Sequence, residues 1–179
     1  MAQIAHGVRA LLSNPFIYST LQSLTGAHHA RKSFVADSVK PLAGKKVLDV
    51  GCCLPDIPDY IPAVDYWGLD ISATYINHAS KRYRTRVRLF PKLPMFDDLA
   101  SRLKFDHVPT SRIRHHMDDE IAISFLQLAH KPLRLGGRLV TIDACWIEGQ
   151  HPIAQYSFAR NGGKNVHTRV SADSWRRLF

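Results

Sequence analysis

KKVLDVGCCLPDIPDYIPAVDYWGLDIS, residues 45–72, is the stretch from which the rest of the chain can be arranged. Val47, Leu48 and Val50 make an almost continuous apolar run, the pattern of a parallel strand covered on both faces. Gly51 ends that strand. The segment after it carries Asp56, Ile57, Tyr60 and Ile61 in a short helix, with Pro58 in its first turn. A second strand is expected over Trp67–Ile71, around Asp70. Asp70 stands about twenty residues beyond the first strand, the spacing of an α/β nucleotide-binding fold. An acid in that place can accept hydrogen bonds from both hydroxyls of a ribose. The turn is poor in glycine: Gly51 is followed by Cys52, Cys53, Leu54 and Pro55, where a G-x-G-x-x-G series would let the backbone approach a pyrophosphate. A pyrophosphate cradle is not expected.

VLDVGCCLPDI followed by WGLDIS resembles the first two motifs of class I S-adenosylmethionine-dependent methyltransferases, whose usual wording is close to VLDIGCGxGD and then GxDxS. The likeness continues through HHMDDE, LAHKPLRLGGRLVTIDA and EGQHPIAQYSFAR, which resemble later segments of small bacterial members. It covers most of Lys45 to Arg160, and its weight lies in the order and spacing of the motifs. The resemblance implies a single methyltransferase-like domain over residues 1–179: a helical cap over 1–43 and an α/β core over 44–179. The core would be a three-layer Rossmann-like sandwich, its mostly parallel sheet ordered 3-2-1-4-5. The implied cofactor is S-adenosylmethionine, with S-adenosylhomocysteine as product. In that frame Asp49 and Gly51 shape the pocket for the methionine portion with Cys52 beside them, Asp70 holds the ribose hydroxyls, and Ile71 packs against adenine. Cys52 and Cys53 replace a pair that usually includes glycine, which narrows the pocket.

The 179 residues suit one domain with a real core. With 45% hydrophobic and 22% charged residues the composition is that of an ordinary globular protein, which favours neither general disorder nor a fibrous architecture. The opening MAQIAHGVRALLSN holds no apolar run long enough for a signal peptide or a membrane span, so a cytoplasmic protein without membrane association is the default. Cys52, Cys53 and Cys145 fit neither a disulfide framework nor C-x-x-C metal spacing; they read as small buried residues, and no metal site is expected. Twenty-four Lys and Arg against 15 Asp and Glu leave a formal charge of +9. That balance allows nucleic acid or a phosphorylated substrate as partner, or a solvated basic surface.

Along the chain, Ile4, Val8, Leu11 and Leu12 recur at helical spacing, and Asn14 with Pro15 opens a helix carrying Ile17, Leu21 and Leu24. A third helix over 27–39 places Phe34, Val35 and Val39 inward and His28, His29, Arg31 and Lys32 outward. In related enzymes such helices form a lid. Ser72 is the N-cap of a helix bearing Tyr75, Ile76, Ala79 and Tyr83. Arg84, Arg86 and Arg88 then alternate with Thr85, Val87 and Leu89, a period-two strand with one charged face that belongs at a sheet edge. The loop after it has Pro91 and Lys92 where the family often has an acid for the adenine amino group; Asp97 and Asp98 are the replacements at hand. The fourth strand, Phe105 to about Thr110, contains Pro109, which removes a ladder donor, and Arg112 and Arg114 follow where apolar residues are usual. Asp118 caps a helix whose buried stripe is Ile121, Phe125 and Leu128. Leu133–Gly137 reads as a turn and Arg138–Asp143 as the fifth strand.

His115 and His116 fall in a loop beyond a strand's carboxyl end, where α/β ligands bind, and either is chemically suited to act as a base near neutral pH. With Asp143 and Tyr156 they are the candidate catalytic residues. Trp146, Glu148, His151 and Arg160, beyond the fifth strand, are the candidates for binding substrate. Complete family members carry two further strands, one antiparallel, beside the fifth, and the sequence leaves no residues to make them. Those strands are expected to be missing or truncated, with a partner or a homodimer covering the exposed fifth-strand edge. The leading reading is methyl transfer from S-adenosylmethionine to a small or medium-sized acceptor. An RNA methyltransferase using the basic surface is one alternative. An inactive methyltransferase-like binding module, suggested by Cys53, Lys92, Pro109 and Arg112, is the other.

Overall fold

A computed structural model of the chain describes residues 27–40, 43–53, 57–61, 63–91, 95–111, 113, 117–143 and 149. Their strands are β1 (Lys46–Val50), β2 (Asp65–Leu69), β3 (Val87–Phe90), β4 (Phe105–Ser111) and β5 (Leu133–Ile142). They form one sheet in the order β3-β2-β1-β4-β5, and every neighbouring pair is parallel. Parallel neighbours need crossovers, and helices supply them: α2 (Ile57–Tyr60), α3 (Ala73–Tyr83), α4 (Met95–Arg102) and α5 (Asp119–His130). Ahead of them α1 (Ala27–Ser33) runs into a π-helical turn over Phe34–Val39.

The alternation of side chains along β1 sends Leu48 and Val50 to one face and Val47 to the other. Leu48 and Val50 join Leu69, Phe105 and Val108 beneath Leu99 and Ala100 of α4 and Ala129 of α5. Val47 joins Tyr66 and Val87 beneath Val35, Ile57 and Ile61, and Ala79 and Tyr83 of α3. Helices thus cover both faces, as the apolar run in β1 predicts, giving the three-layer α/β sandwich that the resemblance implied. Among the described residues no helix is long and apolar enough to cross a membrane.

Several local expectations are corrected. The second strand begins and ends two residues earlier than 67–71, because the Asp70 carboxylate accepts the Ser72 N–H and turns the chain out of the strand. The period-two strand is shorter: Arg84 takes a left-handed φ of 50° as the cap of α3, Arg84–Arg86 form a 3₁₀ turn, and only Val87–Phe90 pair. β3 nevertheless lies at the sheet edge, as its charge pattern implied. The fifth strand starts at Leu133 instead of Arg138. Gly136, at φ 74°, lets extra residues bulge out between the pairs Phe105↔Leu133 and His107↔Arg138. In α5 the Asp118 cap holds, its carboxylate accepting from Ile121 N at 2.9 Å, and Phe125 and Leu128 pack partly buried against the core as expected, but Ile121 is exposed and Ala122 and Ala129 are the fully buried positions. Small residues there let the helix approach the sheet.

Arg31 is buried rather than outward. It shares a helix face with Phe34 and Val35, three and four residues on, and both are buried. The π-helical turn ends at Lys40, whose left-handed backbone donates its N–H to Val35 O. Residues 1–26, and with them the first two expected helices, lie outside the described residues. So does everything after Asp143 except Gly149.

Pro109 sits inside β4, between β1 and β5. On the β1 side the paired positions are Val47↔His107 and Val50↔Thr110, flanking the place where proline has no N–H to give. On the β5 side Pro109↔Val140 is retained. Strand β4 therefore tolerates its proline by leaving the β1 ladder open between the pairs at Val47 and Val50.

Candidate functional site

Four of the five strands end around one crevice. The sheet order reverses between β1 and β4, and in open α/β sheets that reversal leaves a cleft outside the carboxyl ends of the strands. The residues that follow those strands are Gly51, Asp70, Ile113 and Asp143.

The turn after β1 is built from left-handed backbone. Gly51 has φ 75° and Cys53 has φ 54°. Gly51 N and Cys52 N both donate to Leu69 O, at 2.7 and 3.0 Å, folding the loop back over the end of β2. A left-handed cysteine is strained, whereas glycine adopts that backbone freely. Cys53 therefore holds by tertiary constraint the conformation that a second glycine would take unaided. The constraint is Asp70: Cys53 N donates to Asp70 Oδ2 at 2.7 Å, while Ser72 N donates to Oδ1 at 2.8 Å. One carboxylate thus latches the β1 loop to the β2 turn. Burial pushes the Asp70 carboxyl above its usual range, and the N–H donors of Ser72, Cys53 and Ile71 only partly offset this. Each oxygen takes one of these two N–H groups, and a carboxylate offers about four lone-pair sites, so acceptor capacity is left for a ligand.

Beside this latch lie two side chains of different character. Ile71 is 62% exposed, a large apolar surface next to a half-buried acceptor. Tyr75, in the first turn of α3, is half-buried; burial, then the neighbouring Cys53 and Asp70, push its phenol up to about 12. Ser72 caps the same helix, its Oγ accepting from Tyr75 N at 3.4 Å. An acidic acceptor, an apolar shelf and a neutral phenol are the groups that recognise a nucleoside.

Asp49 is 2% exposed, and its Oδ2 accepts a 2.6 Å hydrogen bond from Tyr66 OH, itself 2% exposed. Burial first, and then the Asp49 charge, hold the Tyr66 phenol well above its usual value, so it stays a donor. Cys52 is buried against the opening left by Gly68, where a Cβ would come within 2.9 Å of its Sγ. Burial raises its thiol well above the ordinary range, with Asp49, Asp70 and Cys53 adding to the shift. It is a packing residue with no thiolate character. On the other wall Ile113 packs onto Gly51, and Ile113 N donates to Asp143 Oδ2 at 3.0 Å.

The sequence-expected residues Asp49, Gly51, Cys52, Asp70 and Ile71 are therefore gathered at the ends of β1 and β2, and Asp143 stands at the end of β5. The remaining candidates, His115, His116, Trp146, Glu148, His151, Tyr156 and Arg160, lie outside the described residues, as do Lys92, Arg112 and Arg114. Asp98, a proposed substitute for the adenine-side acid, is exposed on α4 and pairs with Arg102 at 2.9 Å. Sequence reading missed four residues. Tyr66 was signalled only by its place on the same face of β2 as Gly68, the register partner of Asp49. Tyr75 reads from the sequence only as a residue of the helix after Ser72, and Cys53 as a narrowing substitution, not a left-handed corner. Ile113 has no signal, since its reach depends on the path of the loop after β4.

The basic stripe is largely engaged within the chain. Arg82 pairs with Asp59 at 2.6 Å, Arg86 donates to Pro58 O at 2.7 Å, and Arg88 pairs with Asp65 while lying over the Trp67 ring. At the opposite end of the sheet, Asp106 accepts from Lys46 N and pairs with Arg134 and Lys45. That end serves the packing of β1, β4 and β5.

No protein-family model matches the sequence, and no curated protein matches it. Solved structures do match the fold. The DhpI–S-adenosylhomocysteine complex superposes with a TM-score of 0.57 at 17% identity, over 72% of this chain and 63% of that one. The mycolic acid cyclopropane synthase CmaA1, solved with S-adenosylhomocysteine and CTAB, gives a TM-score of 0.57 at 20% identity, over 76% of this chain and 51% of that one. A TehB-like SAM-dependent methyltransferase from Corynebacterium glutamicum gives 0.52 at 20% identity, over 79% and 83%. The chain thus spans less than two thirds of the DhpI and CmaA1 chains. At these identities the likeness is one of fold: the sandwich is that of the Rossmann-like methyltransferases.

Proposed function

We propose that the chain binds S-adenosylmethionine in the crevice beyond β1 and β2 and transfers its methyl group to a small or medium-sized acceptor. The observation that carries this is the latch itself: a left-handed Gly51–Cys53 turn tied to an acid that ends β2 and keeps acceptor capacity, with exposed Ile71 beside it. These residues fit the nucleoside half of the cofactor, Asp70 accepting from the ribose hydroxyls and Ile71 packing against adenine. The neighbouring folds solved with S-adenosylhomocysteine support the same reading.

When bound, the cofactor supplies an electrophilic methyl on a sulfonium, which an in-line nucleophile displaces. What the chain contributes is position: holding donor and acceptor in line, and excluding water from the contact. Buried Asp49, fixed by Tyr66, keeps a fixed negative charge beneath the turn, suited to the cationic methionine end. A base is needed only if the acceptor carries a proton on its nucleophile. For that role, and for holding the acceptor, we propose the loop after β4 with His115 and His116 and the segment after β5 with Trp146, Glu148, His151, Tyr156 and Arg160. A small acceptor is favoured over RNA because Arg82, Arg86 and Arg88 already have partners within the chain. For the homodimer, support comes from β5, paired with β4 alone among the described residues and carrying fully exposed Leu135.

Calorimetric titration of S-adenosylhomocysteine into the wild type and into Asp70→Ala tests the cofactor assignment. Saturable binding that weakens strongly in the variant is expected. No binding at millimolar ligand refutes the cofactor, and equal binding by Asp70→Ala refutes the ribose role.

A further inference from the structure

The crevice between β1 and β4 has one wall starting at Gly51 and the other at Ile113, two residues beyond the end of β4. Across it the tip of Ile113 comes so close to Gly51 that a Cβ there would collide with Cδ1 and meet Cγ1 at 2.8 Å. Gly51 has no side chain with which to set that approach, so it is set from the Ile113 side. Ile113 N–H donates to Asp143 Oδ2 at 3.0 Å, and Asp143 is the first residue after β5. The two strands behind this bond are locked in register, Thr110↔Thr141 and Ser111↔Ile142. A short closed path therefore runs from the end of β4 through Ile113 N–H and the Asp143 carboxylate to the end of β5. Among the described residues the β4–β5 ladder ends at Ser111↔Ile142, and this bond extends the tie between the two strand ends to residue 113. A hydrogen bond to an ionised acceptor in a half-buried place is among the stronger ones.

We infer that Asp143 is a positioning residue of the cofactor crevice: by accepting the Ile113 N–H it holds the Ile113 side chain against Gly51. It thereby shapes the floor on which the methionine portion of the cofactor rests. This rests on the proposed binding of S-adenosylmethionine. The task needs an oxygen acceptor facing the N–H and no proton transfer, which separates it from the role of a base. A base acts on the acceptor substrate and leaves donor affinity alone, whereas a positioning residue acts on donor affinity before any acceptor is present.

The test is calorimetric binding of S-adenosylhomocysteine to the wild type, Asp143→Ala, Asp143→Asn and Ile113→Val, with thermal unfolding of each. Loss of one such hydrogen bond predicts that Asp143→Ala binds about tenfold more weakly, equivalent to about 1.4 kcal/mol. Asp143→Asn, which keeps an oxygen acceptor, restores most of that affinity. Ile113→Val, which removes the methyl nearest Gly51, weakens binding several-fold even if Asp143→Ala does not fold. Wild-type affinity in both Asp143→Ala and Ile113→Val overturns the inference and leaves the cofactor reading standing. Asp143→Asn as weak as Asp143→Ala also overturns it, since charge and not an acceptor would then be required. A wild type that does not bind S-adenosylhomocysteine removes the cofactor reading and the inference together.

Discussion

Replacing Tyr66 by phenylalanine removes one oxygen from the middle of the sandwich and leaves the ring packed between β1 and α3. That oxygen donates at 2.6 Å to Asp49, and both residues are 2% exposed. Water does not reach the carboxylate to replace the lost donor. Hydrogen bonds to charged groups contribute about 1.5–3 kcal/mol, and loss of the only partner of a buried charge costs about 3–5 kcal/mol. Asp49 makes a further interaction besides the one to Tyr66, which places the loss nearer the lower figure, about 2 kcal/mol. For a chain of this size each kcal/mol moves the midpoint by about 2–4 °C, so a fall of about 4–8 °C is expected. Urea unfolding followed by circular dichroism measures the free energy directly, and a double-mutant cycle with Asp49→Asn isolates the pair. With a neutral amide at position 49 the phenylalanine ring leaves no charge without its donor, so a coupling of about 1–2 kcal/mol should appear. A Tyr66→Phe protein within about 0.5 kcal/mol of the wild type, or strictly additive variants, would refute the reasoning.

Gly51→Ala imposes a left-handed alanine, costing about 1–2 kcal/mol, and also drives Ile113 from its place; adding Ile113→Ala should recover the steric part but not the backbone part, as read from unfolding midpoints. The Asp70 carboxyl, raised by burial above its ordinary 3.8, should titrate above that value in carbon-13 NMR. Because the folded state then binds more protons than the unfolded, stability should fall as pH rises through the interval between the two values, and Asp70→Asn should abolish that slope. The Tyr75 phenol follows the same sign: stability should fall as pH rises from 10 to about 12, and absorbance at alkaline pH should show a late-ionising tyrosine missing from Tyr75→Phe.

The sheet was legible because its signals are local. The almost continuous apolar run of β1 declares a strand buried on both faces, and alternating charge declares β3 an edge. Ser72 and Asp118 announce their helices by capping chemistry that operates within three residues. Boundaries failed where a tertiary contact intervened: Asp70 ended β2 early by accepting from Ser72 and Cys53, and a left-handed Gly136 turned an expected loop into a bulged strand. In α5 Phe125 and Leu128 do pack against the core, and only Ile121 departs from the expected stripe, because apolar periodicity marks the right face only to within a residue. Alanines, not isoleucine, won the contact with the sheet.

For the site, the sequence by itself determined the chemistry at each strand end: an acid within β1, a glycine after it, an acid after β2 and another after β5. Their spacing along the chain is enough to bring them to one edge of a parallel sheet. What only the tertiary structure decided is which atom each acid meets. Asp49 meets Tyr66, Asp70 the left-handed Cys53, and Asp143 the N–H of Ile113, partners 17, 17 and 30 residues away. Helix and strand formation follows from periodicities that neighbouring residues carry. A hydrogen bond between two loops depends on the register of the strands beneath them and on the path of the chain between, which no short stretch of sequence contains.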